Sequence, residues 1–180
     1  MQDDSGTELQ SLAPLHIQPV TQAAFEPFGW IVEAGENGRA ANNGTARRHD
    51  IHAHPAAEVR TGTRLVTSIF AAKRQQPALV ISMLERHVNS IQWIVPLDGA
   101  GHVVIVAPDG EDGRPDLARL TAFSFSAAQG VIYRRGLWHY PIMAEGSDAR
   151  FLVQSWQDGT EADCEIIAIE PTVLAAKDVS

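Results

Sequence analysis

Cysteine is almost absent from this 180-residue chain; Cys164 is the single one. One cysteine closes no internal disulfide and builds no zinc knuckle, so it reads as a surface or half-buried thiol rather than a nucleophile. No apolar run approaches the length of a membrane span. The opening "MQDDSGTELQ" has neither a basic n-region nor an apolar h-region, so no signal peptide is expected and the default compartment is the cytoplasm. Basic residues are in the minority, 14 Lys and Arg against 22 Asp and Glu, for a formal charge of −8. That balance argues against a nucleic-acid surface, which needs clustered cations. There is also no glycine-rich nucleotide motif and no long amphipathic helix pattern in the middle of the chain.

What is present is a succession of short strands. "RLVTSIFAA", "LVISMLERH", "SIQWIVPLDG", "GHVVIVAPDG", "GVIYRRG", "LWHYPIMAE" and "ARFLVQSW" are rich in β-branched and apolar residues. Turn signals such as "LDGAG", "PDGEDGRPD" and "AQG" separate them. "LHIQPV" and "WIVEAG" add two strands near the start. Thr21 caps one short helical turn, a second short helical piece begins at Pro115, and "ENGRAANNGTA" reads as a loop. This pattern predicts an all-β sandwich or barrel with a few short helices. The expected layout is a flexible N-terminus over residues 1–13, one barrel domain over 14–170 and a C-terminal tail over 171–180.

The stretch "LERH" places Glu85, Arg86 and His87 side by side. Side chains alternate along a strand, so Glu85 and His87 share one face and Arg86 takes the other. Gln92 follows five residues later beyond the turn-like "VNS", where an antiparallel return would bring it back beside His87. His139 lies far downstream in "LWHYP". In double-stranded jelly rolls of the cupin type, the pocket is lined by two residues separated by one, an acid or amide five later, and a distant His. Glu85, His87, Gln92 and His139 match that series. The set suits a divalent ion such as Ni, Mn or Zn, with His87, Gln92 and His139 as ligands. It equally suits a metal-free pocket in which His and Glu move protons, and the plain alternative is a solvated strand end.

The order "LERH…Q…VPL…VVIVAP…PDL..L.AF…QGV.Y.RG.WH.P", with "NNGTARRHD" and "PVTQAAFEPFGWIVE" upstream, resembles the ureidoglycolate lyase family, formerly called ureidoglycolate hydrolases. The resemblance runs from about Ile17 to Ile169. It implies a cupin barrel, a homodimer, and a lyase that splits (S)-ureidoglycolate into glyoxylate and urea late in allantoin and purine breakdown. Glu85, His87, Gln92, Tyr133 and His139 match the family pattern. Ile132, Arg134 and Tyr140 depart from it, standing where the family has Asn, His and His, which puts the exact substrate in question.

That reaction needs a base for a hydroxyl proton, an acid for the leaving nitrogen and a cation for a carboxylate. His139 or Glu85 fits the base, and Tyr133 or a protonated His the acid. Arg74 is the first choice for the carboxylate, since guanidinium grips it with two parallel bonds. Arg47 is the second, and His49 reads either as a residue at the pocket mouth or as a structural hydrogen-bonding one. His52 and His54 read as surface or loop histidines, His102 as structural, and Trp138 as core. Rival readings are a divergent cupin that binds or converts another small carboxylate, a non-catalytic sensor, or a metal-dependent isomerase or dioxygenase. The expected partner is a small carboxylate, with no nucleic acid and no membrane.

Overall fold

A computed structural model describes residues 13–52, 61–75 and 78–175. The chain forms β1 (Ile17–Pro19), one helical turn α1 (Gln22–Phe25), β2 (Gly29–Val32), β3 (Arg39–Ala41) and β4 (Ala46–Arg48). The longer strands follow: β5 (Arg64–Ala72), β6 (Val80–Arg86), β7 (Gln92–Pro96) and β8 (His102–Ala107). The remainder are β9 (Thr121–Phe125), β10 (Gly130–Tyr133), β11 (Trp138–His139), β12 (Met143–Ala144), β13 (Ala149–Gln157) and β14 (Glu165–Val173).

Two sheets face each other. One has the order β1-β9-β8-β11-β6-β14, with β12 also on β8, and the other β2-β10-β7-β13-β5. The chain passes repeatedly between them, so β6 and β7, neighbours in sequence, belong to opposite sheets. This is an all-β barrel of jelly-roll type, because alternation between two sheets encloses one interior.

The strand β8, "HVVIVA", is buried at every position. Val104 and Val106 face the interior with Phe25, Phe123, Phe125, Phe151 and Val153. Val103 and Ile105 face outward, beneath Ile17, Leu120 and Tyr140. Burial on both faces explains a continuous apolar run where a one-sided strand would alternate. Phe25 meets Phe123 and Phe125 edge-on, at 5.5 and 5.3 Å between ring centres. The cap that makes this possible is Thr21, whose hydroxyl accepts the Ala24 amide and starts the single turn carrying Phe25 inward. Gly29 lies opposite Tyr133 in the β2/β10 ladder, where a side chain would strike the Ile132 carbonyl.

The stretch expected as a loop, "ENGRAANNGTA", instead contains the small hairpin β3/β4. Asn42, Asn43 and Gly44 all take positive φ, and a short polar side chain tolerates that conformation well enough to turn the chain tightly. The second short helical piece is a 3-10 turn at Leu117–Arg119, capped by the Asp116 carboxylate on the Ala118 amide. At the other end of the chain, β14 continues through Val173, and the buried Leu174 pairs with Leu15.

Candidate active site

Between the sheets lies a cavity of about 420 Å³ lined by Glu85, His87, Gln92, His139 and Cys164, with an apolar wall that includes Phe70 and Ile142. That size is within the usual range for small-molecule pockets. The four residues singled out from spacing therefore meet in one place. Glu85 is on β6 and His139 directly opposite on β11, as ladder partners. His87 follows β6 and Gln92 opens β7.

Gln92 arrives by a different route from the one expected. It is not on an antiparallel return beside β6, because β7 belongs to the facing sheet. The turn after His87 carries the chain across the barrel, so the Gln92 amide reaches His87 from the other wall. The amide donates from Nε2 to His87 Nε2 at 2.9 Å. Gln92 Oε1 is buried and has no hydrogen-bond partner.

Both histidines are fixed through Nδ1. His87 Nδ1 donates to the Asp163 carbonyl at 2.8 Å, and His139 Nδ1 donates to the Leu137 carbonyl at 2.9 Å. A neutral imidazole that donates from one nitrogen offers a lone pair on the other; that of His87 accepts the Gln92 amide, and His139 Nε2 is buried. His139 Nε2 lies 3.4 Å from Glu85 Oε1. The contact is attractive only when the imidazole is protonated, and among the described residues Nε2 has no hydrogen-bond partner. One potential ligand atom from each of Glu85, His87 and His139 lies within 4.8 Å of the others.

The charges respond to this crowding. Burial pushes the Glu85 carboxyl up, but His139, His87 and the Cys164 thiol outweigh it and hold it below the usual carboxylate range. Burial, followed by the neighbouring His139, lowers His87 despite the Asp163 carbonyl and Glu85. The pocket at neutral pH thus holds a carboxylate beside a neutral His87. Burial, reinforced by the Glu85 charge, drives the Tyr133 hydroxyl well above an ordinary phenol. Tyr133 is buried with its ring centre 4.6 Å from that of His139, is not among the residues that line the cavity, and is a poor proton source.

Arg86 takes the opposite face, as alternation demands. It pairs with Glu165 at 2.8 Å and Asp109 at 3.1 Å and lies 4.2 Å above the ring of the buried Trp138. Trp138 packs with Leu84 and Ala107 on the outer side of the sheet, in the core as expected.

Neither Arg74 and Arg47, expected to grip a carboxylate, nor His49, expected at the pocket mouth, joins the pocket lining. Arg74 is exposed just past Ala72, which does line it, and its backbone amide donates to Asp148. Arg47 pairs with Ala40 in the β3/β4 hairpin. His49 lines a separate hollow with Trp30, Arg39 and Asp50, which shares no lining residue with the pocket. The reason is topological: the hairpin is a two-stranded sheet of its own, outside both large sheets. His52 stacks on Trp30 at 4.0 Å, and His54 lies outside the described residues.

The three departures also lie outside the pocket lining. Ile132 is buried on β10 opposite Trp30 and Trp93. Arg134 bonds the Glu26 carbonyl and carboxylate and sits 4.5 Å over Trp30. Tyr140 packs into the outer apolar clusters.

Sequence reasoning overlooked Cys164 as a pocket residue. Its thiol lies 3.7 Å from Glu85 Oε2, and burial followed by the Glu85 charge pushes its pKa up to about 11. The placement follows from the β14/β6 register, which sets Ile166 opposite Glu85 and Glu165 opposite Arg86. Nothing in the local sequence announces that register.

The chain was compared with known protein families, curated sequences and solved structures. The family model described as ureidoglycolate lyase matches residues 12–176. A protein named ureidoglycolate lyase from Azotobacter vinelandii is 39% identical over 155 residues, covering 84% of this chain and 89% of its own length. One of the same name from Pseudomonas savastanoi pv. phaseolicola is 34% identical over 171 residues, covering 89% and 97%. Among solved structures, a 3,4-ketoisomerase from Helicobacter canadensis matches 75% of this chain and 87% of its own, at 15% identity and a TM-score of 0.39. With matched residues spanning nearly the whole length, the chain belongs to the ureidoglycolate lyase family.

Proposed function

We propose that this chain splits ureidoglycolate into glyoxylate and urea in the pocket between Glu85, His87, Gln92 and His139. The observation that carries the reading is the Glu85–His139 pair, a half-buried carboxylate beside a buried imidazole whose Nε2 has no hydrogen-bond partner among the described residues.

The substrate carries a hydroxyl, a carboxylate and a ureido nitrogen on one carbon. His139 Nε2 takes the hydroxyl proton while Glu85 stabilises the imidazolium that forms. The oxygen's electron pair closes the carbonyl of glyoxylate, and the C–N bond breaks. The same proton passes from His139 to the departing nitrogen, giving urea. No water is consumed. Tyr133, kept protonated, does not supply its proton. For the carboxylate we retain Arg74, which leaves the strand two residues beyond the pocket residue Ala72; Arg47 and His49 would have to reach in from the hairpin.

A second reading is supported by the clustering of Glu85, His87 and His139, whose potential ligand atoms lie within 4.8 Å of one another; binding an ion would require the Gln92 amide to release His87 Nε2. Metal-bound histidines usually donate their other nitrogen to a carbonyl or carboxylate, and both histidines do so here. With the orphaned Gln92 Oε1, the residues fit a Ni, Mn or Zn ion held by Glu85, His87, Gln92 and His139. Such an ion would supply Lewis acidity toward the substrate oxygens. We also propose a homodimer, supported by exposed Leu65, Ile69 and Phe70 on the edge strand β5 and Ile166 and Val173 on the edge strand β14.

The test is release of glyoxylate and urea from racemic ureidoglycolate, measured against an enzyme-free blank. Turnover that stops near half conversion supports a stereospecific lyase. No release above the blank overturns the reading in favour of another small carboxylate.

A further inference from the structure

Glu85 has two oxygens and two different neighbours. Oε1 faces His139 Nε2 at 3.4 Å, and Oε2 faces the Cys164 thiol at 3.7 Å. A carboxylate at the end of a glutamate side chain swings freely unless both oxygens are held, and a useful base pair needs one fixed geometry. Among the described residues, Cys164 is the group bonded to the second oxygen. The site it borders is built for a ligand: among the described residues His139, 2% exposed, has Nε2 unpartnered and Gln92, 8% exposed, has Oε1 unpartnered, and both residues line the same cavity.

We propose that Cys164 is a positioning residue: its S–H donates to Glu85 Oε2 and so turns Oε1 toward His139. The thiol is no nucleophile in this role. It stays protonated, touches no reacting atom, and acts only through the carboxylate. The turn that carries it is fixed independently. The Asp163 carbonyl holds His87, and the Asp163 carboxylate accepts the amides of Asp158 and Gly159. One short segment therefore orients two pocket side chains, His87 through a carbonyl and Glu85 through a thiol.

The inference rests on the site reading given above, and two measurements separate its failure from that reading's failure. The first is kinetic. Cys164→Ala is expected to lower kcat for ureidoglycolate cleavage about tenfold with KM little changed, as removal of an outer hydrogen-bond partner typically does. Cys164→Ser keeps a donor and is expected to restore most of that loss. Wild-type kcat in the alanine variant, or a serine variant as poor as alanine, would overturn the proposal.

The second needs no turnover. Because the chain has a single cysteine, its S–H stretching band in the infrared belongs to Cys164 alone. A thiol donating to a carboxylate absorbs at lower frequency than a freer one. The band is expected to move upward in Glu85→Gln, where a neutral amide is the weaker acceptor. An identical band in both proteins sinks the proposal even if the wild type proves inactive on ureidoglycolate.

Discussion

His139 stands directly opposite Glu85 in the antiparallel β11/β6 ladder, and its Nε2 points at Glu85 Oε1. A two-residue strand, β11, thus does the work of placing an imidazole in the barrel interior. It is clamped between β6 and β8, and the Leu137 carbonyl fixes the ring's tautomer. Ladder pairing makes this geometry rigid in a way that loop-borne residues are not.

From that pairing follows the first expected result. Glu85→Gln keeps the shape and removes the charge that would stabilise a protonated His139. His139→Gln removes the proton acceptor. Each should lower kcat by roughly 10²- to 10⁴-fold, the usual worth of a placed acid–base group. Both should still melt cooperatively near the wild type. Steady-state kinetics beside a melting curve check this, and kcat within a few-fold of wild type in either variant would remove the pair from the mechanism.

The clustering of Glu85, His87 and His139 leads to a second expectation. Calorimetric titration of chelator-treated protein should show a single divalent ion binding per chain, with Ni, Mn and Zn compared in turn. His87→Ala should weaken that binding, because one of the three clustered ligands is gone. Turnover that survives complete metal removal would leave proton transfer by Glu85 and His139 as the working route. Absence of binding by all three ions would remove the metal reading.

Much of this site could be read in the chain beforehand. Alternation alone separated Glu85 and His87 from Arg86, and that separation is observed. The all-β reading held because turn residues punctuate apolar runs at regular intervals. Alternation is a local property, whereas sheet membership is not, so the crossing that brings Gln92 to His87 was mistaken for a hairpin return. The same limit hid Cys164, whose place depends on how β14 slides along β6. The carboxylate clamp was the hardest element to read. A solvent-facing arginine carries no periodic signal, and Arg47 and His49 proved to follow a hairpin of their own.

The three positions that depart from the family pattern give a third expectation. Arg134→His and Tyr140→His should leave kcat/KM within about twofold, since substitutions away from a site act weakly. Arg134→His should lose some stability with the Glu26 and Trp30 contacts. Ile132→Asn is different in kind, because the position is buried and an amide there lacks a partner. It should cost about 1–3 kcal/mol of stability while sparing kcat in the folded fraction. Urea melts and kinetics on the three variants separate these effects, and a large change in kcat/KM from Arg134→His or Tyr140→His would mean that these residues reach the substrate.

His102 supplies the last expectation, which concerns stability rather than catalysis. It opens β8 at 2% exposure, stacked on Phe125 at 5.0 Å, with neither ring nitrogen hydrogen-bonded. Burial lowers its pKa from 6.5 to about 4. Between those values the unfolded chain carries a proton on this ring that the folded chain refuses. The neutral ring's place in the core is therefore undisturbed above pH 6.5, and stability falls as pH drops from 6.5 toward 4. The loss attributable to this ring is on the order of 3 kcal/mol. In His102→Phe, which fills similar space without a titrating group, the decline in melting temperature from pH 7 to pH 4.5 should be visibly shallower. Parallel pH–melting curves for the two proteins would show that the ring is not the source if the slopes over this range were the same.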